Sequence, residues 1–428
     1  MTTAYRHAAE YLAQLLAHTS LDQLAERLRP DFSPMPRRVP GGSIVSSQAV
    51  ARRWRLLGSP GARAELLDTQ TERQMEVYRN NIENFIGTIK LPVGIAGPLR
   101  VRGLFAQGDF LVPLATTEAA LVASYSRGAA LITEAGGASA MLLNEGISRS
   151  PGFAFISFEE LGRFVAWLLS VQDRVKQAAE QTTRYGKLID LQICVEGNHV
   201  YLILVFTTGD AAGQNMATIA TDAAVSWILA NTPVKPRVAY VEANFSGDKK
   251  ATAQSLQSVR GKKVTAEVSI PAKLVQRRLH TSAERMVDYG RFATVGGIMS
   301  GMVGTQGHYA NGLAAMFIAC GQDAACVAEA AVGNTRMELT AERDLYVSVT
   351  LPNLIMGTVG GGTKLPSQRS CLEIMGMAGA GHAQALAEVT AALCLAGEIS
   401  IVGAISAGEF TRAHTRLARG TRTHRSRV

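Results

Sequence analysis

Four ionisable residues stand in small or apolar surroundings, where a charged group is costly to keep. They are Glu118 in LATTEAALVAS, Lys249 in NFSGDKKATA, Asp323 in IACGQDAACVAEAA and His414 in RAHTRLARG. Burial raises a carboxyl pKa and a nearby cation opposes that shift, so these surroundings predict groups suited to acid–base chemistry. Taken singly, each has a plainer explanation. An apolar-flanked acid commonly pairs with a lysine, and a histidine near a chain end is commonly exposed.

A second candidate is the segment GDAAGQNMATIATDAA, which starts at Gly209. The apolar pattern places it where a strand ends and a helix begins. The free backbone N–H groups and the positive end of such a helix suit a phosphate. The residues in or next to this turn are Asp210, Gly213, Gln214 and Asn215. A plain strand-to-helix connection is the alternative.

A glycine-rich loop, GTVGGGTKLPSQ over Gly357–Gln368, could let backbone approach a ligand closely. Its centre is Val359, Gly360 and Gly361. The spacing is neither that of a Walker loop nor the G-x-G-x-x-G of a dinucleotide-binding turn.

The segment TTRYGK, Thr182–Lys187, precedes a predicted strand. Thr183, Arg184 and Tyr185 could hold and stack a nucleotide, and the Arg184 charge suits a ribose phosphate. An ordinary charged turn is the alternative.

The elements around these segments predict an α+β fold. Between residues 151 and 240 the apolar periodicity runs strand, long helix, strand, strand, helix, strand, which is the order of a ferredoxin-like βαββαβ unit. Residues 83–150 and 254–428 predict a larger, mainly helical domain into which that unit is inserted, and residues 241–253 form the connecting loop that carries Lys249. Residues 1–82 predict a helical region, with a long amphipathic helix over 1–30.

Composition narrows the function classes. The net charge of +8 favours an acidic partner, but the six arginines between Arg412 and Arg427 have no aromatic residue among them, so a nucleic-acid-stacking surface is not expected. Five cysteines without a C-x-x-C pair predict no disulfide framework and no metal site, and they fit a cytoplasmic protein. Glu10 interrupts the N-terminal apolar pattern, so no signal peptide is expected.

One long stretch, Phe292–Gln322, contains no Lys, Arg, Asp or Glu and is long enough to span a bilayer. Seven glycines and three polar side chains, Gln306, His308 and Asn311, favour a tightly packed buried segment instead. No membrane partner is expected.

Nine ordered blocks together resemble the 3-hydroxy-3-methylglutaryl-CoA reductase family, in the class that includes the eukaryotic and archaeal enzymes. The resemblance runs from about Glu83 to Arg416. It includes ENFIGTIKLPVGIAGPL, LATTEAALVASYSRGAA, GISRSP, GDAAGQNM, NFSGDKKATA, GHYANGLAAMFIACGQDAA, GTVGGGTKLPSQRSCLEIMG, LAGEISIVGA and FTRAHTR. TTRYGKL occupies the place of that class's cofactor loop.

The resemblance implies an NADPH-dependent oxidoreductase that converts (S)-3-hydroxy-3-methylglutaryl-CoA to (R)-mevalonate and CoA by a four-electron reduction. It implies that Lys249 stabilises the oxyanion, Asp323 orients Lys249, Glu118 donates protons and His414 protonates the CoA thiolate. The same enzyme running in the oxidative, mevalonate-degrading direction stays an alternative, as does NADH in place of NADPH.

The resemblance also implies binding residues and an assembly. The nucleotide site would use the TTRYGK, GDAAGQNM and glycine-loop residues named above. The substrate site would use Arg149, Asp248, Lys250, Arg291, His308, Asn311, Ser124 and Arg127. Ser126 and Arg291 depart from the better-known members, which have Asn and Lys there. An obligate homodimer, or a larger assembly built from it, is implied because the family's active site forms between subunits.

Overall fold

The computed structural model describes residues 5–34 and 38–409. His414 and the basic segment Arg412–Arg427 lie outside the described residues. The chain divides into two compact units, residues 1–89 and 90–428. The predicted helical region 1–82 falls within the first unit.

The described part of the first unit contains five α-helices. They are α1 (Tyr5–Leu16), α2 (Leu21–Arg27), α3 (Ser47–Leu57), α4 (Pro60–Leu66) and α5 (Thr69–Arg73). The long helix predicted over residues 1–30 is therefore two helices. Ser20 ends the continuity because its side chain accepts the Gln23 backbone N–H in a capping box that starts α2.

A fully buried arginine organises this first unit. Arg53 on α3 is 1% exposed, and its hydrogen-bond acceptors among the described residues are all backbone carbonyls. Its guanidinium donates to the backbone oxygens of Pro40, Gly42, Ile44 and Phe85. Burial lowers the pKa of Arg53. The side chain thereby ties two distant loop segments to α3.

The second unit contains eleven strands in the described part of the chain. They are β1 (Val93–Gly103), β2 (Gln107–Ala115), β3 (Ala138–Arg149), β4 (Gly152–Ala154), β5 (Leu188–Glu196), β6 (His199–Phe206), β7 (Val238–Tyr240), β8 (Gly261–Ile270), β9 (Gly304–Thr305), β10 (Gly333–Leu339) and β11 (Leu345–Leu354).

Its described α-helices are α6 (Leu121–Glu134), α7 (Phe158–Ser170), α8 (Gln172–Glu180), α9 (Gln214–Asn231), α10 (Gln254–Gln257), α11 (Ala272–Leu279), α12 (Ala283–Ser300), α13 (Tyr309–Ala319), α14 (Val327–Ala330), α15 (Pro366–Ile374) and α16 (Ala383–Ser406).

The predicted ferredoxin-like unit is confirmed. Its strands lie in the order β7-β4-β6-β5, with every pair antiparallel, and α8 packs on α9. In chain order the four strands are therefore arranged 4-1-3-2. The single long helix predicted before β5 is wrong in detail, because the helix breaks at Val171 between α7 and α8.

The rest of the second unit surrounds a larger sheet with the order β2-β1-β3-β8-β11-β10-β9. Strand β3 also pairs with β6 through Ile147–Arg149, so it runs from one sheet into the other. Residues on β8 alternate between exposed and buried, and its inward side chains are Lys262, Val264, Ala266, Val268 and Ile270. The sequence pattern had indicated less sheet here, since glycine-rich turns separate these strands.

Helix α16 forms the core against this sheet, and it packs on α6, β3, β8 and β11. A helix that is apolar on every side is expected to be buried on every side. It is the one described helix long and apolar enough to cross a membrane, but 89% of its apolar window is buried inside the protein. The charge-free stretch Phe292–Gln322 is divided between α12, β9 and α13.

Two carboxylates interrupt the apolar surface of α16. Glu388 is wholly buried and accepts backbone N–H groups of Leu104, Phe105 and Ala106 in the β1–β2 turn, and of Leu142 in β3. An ionised carboxylate away from water requires such donors. Glu388 therefore fastens this turn to the core.

Candidate active site

Lys249 and Asp323, which lie far apart in the sequence, form an ion pair. Lys249 lies on the loop between β7 and α10, and Asp323 follows α13. The distance from Lys249 Nζ to Asp323 Oδ2 is 2.8 Å, and the two side chains are 40% and 41% exposed. The hydrogen bond that Lys249 donates to Asp323 raises the pKa of Lys249 above its ordinary value. The ammonium is therefore held charged at a position that a ligand can reach.

The loop beneath Lys249 is held by buried charges. The Lys249 backbone N–H donates to Glu329 Oε1 at 3.1 Å. Arg260 contacts both Glu329 oxygens at 2.7 Å and lies 2.8 Å from Asp248 Oδ1. Arg149 donates to the other Asp248 oxygen at 2.7 Å. These arginines and acids alternate, so each buried charge faces an opposite one.

Glu118 lies apart from this pair in the described chain. It is exposed on the loop between β2 and α6, and its backbone N–H donates to Thr116 Oγ1 at 3.0 Å. Its carboxylate forms no ion pair with a described residue. The structure thus brings together Lys249 and Asp323, leaves Glu118 separate, and does not describe His414.

The turn at residues 209–213 meets the glycine-rich loop. Ala211 and Val359 form a parallel bridge, and the Thr358 backbone N–H donates to the Asp210 carbonyl at 2.8 Å. Gly213 starts α9 with φ +78°, and a Cβ there would lie 2.0 Å from the Thr208 side chain. Only glycine fits this close turn without a shift of its neighbour.

The carboxylate of Asp210 has a structural use. It accepts the backbone N–H groups of Gly381 at 2.8 Å and Ala383 at 3.1 Å, where α16 begins. An acidic group at that position is favourable because it faces the positive end of the helix. The negative charge of Asp210 would repel a phosphate. Asp210 would therefore affect a bound phosphate only indirectly, through the turn that it holds in place.

The TTRYGK loop lies beside the first turn of α9. Thr183 Oγ1 accepts the backbone N–H groups of Tyr185 and Gly186. Gly186 is so close to Met216 that a Cβ would lie 2.4 Å from the Met216 sulfur. Arg184 and Tyr185 are exposed, and Arg184 forms no ion pair with a described residue.

Two contacts connect these cofactor candidates with the Lys249–Asp323 pair. Gln214 Nε2 lies 2.9 Å from the Cys326 sulfur, three residues after Asp323. Gln322, one residue before Asp323, exchanges hydrogen bonds at 2.9 Å with the Gly357 backbone N–H and carbonyl. Asn215 is exposed on the same first turn of α9. The three candidate segments and the ion pair therefore form one continuous region.

The predicted substrate residues fall into two groups. Arg149, Asp248 and Lys250 surround Lys249; the Lys250 ammonium donates to the Asp248 carbonyl at 2.8 Å. The remaining residues lie around α6, α12, α13 and α16: Ser124, Arg127, Arg291, His308 and Asn311.

Buried residues of α16 organise this second group. Ser400 accepts from Arg127 Nε at 3.0 Å and lies 2.9 Å from the Ser124 hydroxyl. Burial lowers the pKa of Arg127. Glu398 accepts the His308 backbone N–H at 2.8 Å, and His308 Nδ1 lies 3.3 Å from the same carboxylate oxygen.

A cavity of about 260 Å³ lies beside this group. Arg291, Gln306, Thr335, Arg336 and Glu398 are among its lining residues. Asn311 is half-buried in the first turn of α13. Basic side chains thus stand at the cavity with a buried acid among its walls.

Sequence reasoning missed Arg260, Glu329, Glu398 and Ser400, although each holds a candidate residue in place. A signal existed for the two glutamates. Glu329 stands in the small-residue run CVAEAAV and Glu398 in a helix apolar on all sides, and an acid there must find buried partners. Which partners it finds is a matter of tertiary structure.

The family model for hydroxymethylglutaryl-coenzyme A reductase matches residues 49–419. The chain is 41% identical over 362 residues to the 3-hydroxy-3-methylglutaryl-coenzyme A reductase of Methanothermobacter thermautotrophicus, covering 84% of this chain and 90% of that one. It is also 41% identical over 383 residues to the enzyme of that name from Aeropyrum pernix, covering 88% and 90%.

Among solved structures, the chain is similar to a class II 3-hydroxy-3-methylglutaryl-CoA reductase from Streptococcus pneumoniae bound to NADPH in open conformations. The TM-score is 0.63 at 21% sequence identity, covering 84% of this chain and 97% of that one. At 21% sequence identity, this structural similarity shows the shared fold alone. The higher identity to archaeal proteins agrees with the predicted class.

Proposed function

The chain belongs to the hydroxymethylglutaryl-coenzyme A reductase family, and from that premise we propose that it reduces 3-hydroxy-3-methylglutaryl-CoA to mevalonate and free CoA, consuming two NADPH. The observation that carries the proposal is the Lys249–Asp323 ion pair beside the first turn of α9. A charged, accessible ammonium next to a nucleotide-binding turn is what reduction of a thioester carbonyl requires.

The residues present fit the dinucleotide. The first N–H groups of α9 have no partner inside the helix, so they are free for a phosphate. Gly360 has φ +77° with open space where a Cβ would stand, so its backbone is accessible. Arg184 is exposed and forms no ion pair with a described residue, so its charge suits the extra phosphate of NADPH. When bound, the cofactor supplies the hydride.

Lys249 stabilises the negative charge that develops on the carbonyl oxygen. An ammonium has three N–H donors, and Asp323 takes one of them at 2.8 Å. The other two N–H donors of the ammonium are free to face the substrate. The hydrogen bond to Asp323 fixes the directions in which they point. Because the pKa of Lys249 is raised, the group stays cationic throughout the neutral range.

Glu118 supplies the proton that converts the oxyanion to a hydroxyl, and His414 protonates the departing CoA thiolate. The exposed Glu118 carboxylate is open to a ligand. Within one described chain it does not contact Lys249, so the two groups would act on one substrate across a subunit boundary. We therefore infer a homodimer.

An apolar face on α12 supports the same assembly. Phe292, Val295, Ile298 and Met299 are between 57% and 83% exposed. Such a contiguous face is normally covered by a partner. The cytoplasm is the proposed compartment, because the five cysteines of the described chain are free thiols.

The experiment is an NADPH-oxidation assay with 3-hydroxy-3-methylglutaryl-CoA. The expected stoichiometry is two NADPH per thioester, and Lys249→Ala abolishes turnover while the melting temperature stays near that of the wild type. Absence of NADPH oxidation by the folded wild-type protein would refute the proposal. Incubation of mevalonate, CoA and NADP⁺ in the same assay measures the opposite direction.

The shared site has its own test. Lys249→Ala and Glu118→Gln are each inactive alone, and subunits of the two are mixed and allowed to exchange. Mixed dimers restore about a quarter of wild-type activity, because half the dimers are mixed and each of those holds one intact site. A mixture as inactive as its components shows that both residues act within one chain.

A further inference from the structure

We propose that Glu329 is a positioning residue for Lys249, whose buried carboxylate fixes the backbone of the Lys249 loop and thereby aims the ammonium at Asp323. This role deepens the proposed function, because it rests on Lys249 being the group that meets the substrate. No resemblance or motif assigns Glu329 a part in the reaction.

Glu329 contacts the backbone of Lys249 directly. Glu329 lies on α14 and is 1% exposed, and its Oε1 accepts the Lys249 backbone N–H at 3.1 Å. The same carboxylate contacts Arg260 at 2.7 Å through both oxygens. A single guanidinium nitrogen, Arg260 Nη1, contacts both oxygens, and this charge-assisted contact holds the carboxylate where Oε1 faces Lys249.

Lys249 has an uncommon backbone conformation. Its φ is +58°, a left-handed backbone that a non-glycine residue adopts only when its surroundings impose it. The side chain is 40% exposed and long, so packing alone does not hold it. Within the described residues, the hydrogen bond to Glu329 restrains the Lys249 backbone from outside its own loop.

One short segment holds Lys249 at two points. Asp323 begins the 3-10 turn at Ala324–Cys326, and α14 follows directly at Val327–Ala330. Asp323 holds the ammonium and Glu329 holds the backbone of the same lysine. Because both acids stand on one continuous helical segment, the distance between the two points is fixed.

The neighbouring residue is held as well. Asp248 lies between Arg260 and Arg149, with 2.8 Å and 2.7 Å from its two oxygens to the guanidinium groups. The Glu329–Arg260 pair therefore secures the loop at two consecutive residues. Loss of the Glu329 carboxylate oxygens would leave Arg260 with Asp248 alone and free the Lys249 backbone N–H.

The test is the titration of Lys249 in the intact protein without substrate. Trace acetylation with acetic anhydride over a pH series, read by mass spectrometry of the Lys249 peptide, gives the midpoint for that amine. The charged groups facing it are Asp323 and Asp248, with the Cys326 thiol nearby. In Glu329→Met, which has no oxygen to accept the Lys249 backbone N–H, the ammonium loses its alignment with Asp323, so the midpoint falls toward that of an ordinary lysine. We also expect kcat to fall at least about tenfold, with an unchanged KM for NADPH, since a small misplacement of a catalytic group costs about that much or more.

The matched control is Glu388→Met. Glu388 is equally buried and accepts four backbone N–H groups, but it lies on α16 and holds the β1–β2 turn and Leu142, not Lys249. We expect it to lower the melting temperature and leave the Lys249 midpoint unchanged.

A second variant covers a failure of Glu329→Met to fold. Glu329→Asp keeps the charge opposite Arg260 and withdraws the oxygen from the Lys249 amide, so the same downward midpoint shift is expected. If either folded variant keeps the wild-type midpoint, Glu329 is merely structural and the proposal is overturned. Because the titration needs no turnover, an inactive wild-type protein would refute the proposed function and leave this result interpretable.

Discussion

Replacement of Asp323 by asparagine tests how the ion pair with Lys249 works. The amide keeps the shape of the carboxylate and loses its charge. At 2.8 Å two unit charges attract by about 6 kcal/mol at an effective dielectric constant of about 20. Both side chains are 40% or more exposed, so water screens the pair and the net contribution to folding falls to about 1 kcal/mol or less.

The effect on catalysis should be larger than the effect on stability. Without Asp323 the ammonium is not aimed at the developing oxyanion, and loss of such preorganisation lowers kcat by about a hundredfold to a thousandfold. That range corresponds to about 3–4 kcal/mol on the barrier. The assay is kcat for NADPH oxidation at saturating thioester, compared with urea unfolding at the same pH.

The stability difference has a defined pH dependence. The folded-state pKa of Lys249 is raised above 10.5, so the pair's contribution is fully present below the unfolded value and is lost as pH rises through the folded one. The difference between the wild type and Asp323→Asn should therefore stay constant from neutral pH to about pH 9 and shrink in stronger base. A loss of about 3 kcal/mol of unfolding free energy, or an unchanged kcat, would refute this reasoning.

Three further outcomes follow from single positions. Gly213→Ala should raise KM for NADPH about tenfold or more, because its Cβ would lie 2.0 Å from Thr208 in the turn before α9; an unchanged KM would mean that the turn tolerates the shift. Arg53→Met should lower the unfolding free energy of the first unit by about 3 kcal/mol or more, since four backbone carbonyls lose their donor; a loss below 1 kcal/mol in chemical denaturation would contradict this. Iodoacetamide at pH 8 should modify Cys194 before Cys326, because burial raises the pKa of Cys326 to about 12; equal rates by peptide mapping would contradict it.

The small unit shows what periodicity predicts well. Its order of strands and helices follows from runs such as FAFISF and HVYLILVF, and the ferredoxin-like arrangement is confirmed. The break between α7 and α8 at Val171 had no warning, since neither glycine nor proline stands in LLSVQDR. The family resemblance is also confirmed, and the match begins at residue 49, earlier than the Glu83 block suggested.

The site was less accessible to sequence reasoning. Residue types alone did not connect Lys249 with Asp323, because nothing in the intervening sequence shows that the two segments meet. The resemblance selected them, and the structure places their charged groups 2.8 Å apart. The resemblance did not show that Asp210 would hold the start of α16. That use of the carboxylate depends on where the core places Gly381 and Ala383.

The charges of the predicted substrate-binding residues around Lys249 are already partly neutralised within the protein. Arg149 and Asp248 are paired with each other, and Arg260 adds a second cation to Asp248. An anionic substrate therefore gains little from Arg149 as a free charge, since its attraction is shared with a nearer carboxylate. Lys250 is exposed and donates to a neutral carbonyl, so its full charge remains for the substrate carboxylate. In the proposed reaction, Lys250 is accordingly the residue of this group that attracts the substrate, and the buried pair keeps the loop in the shape that presents it.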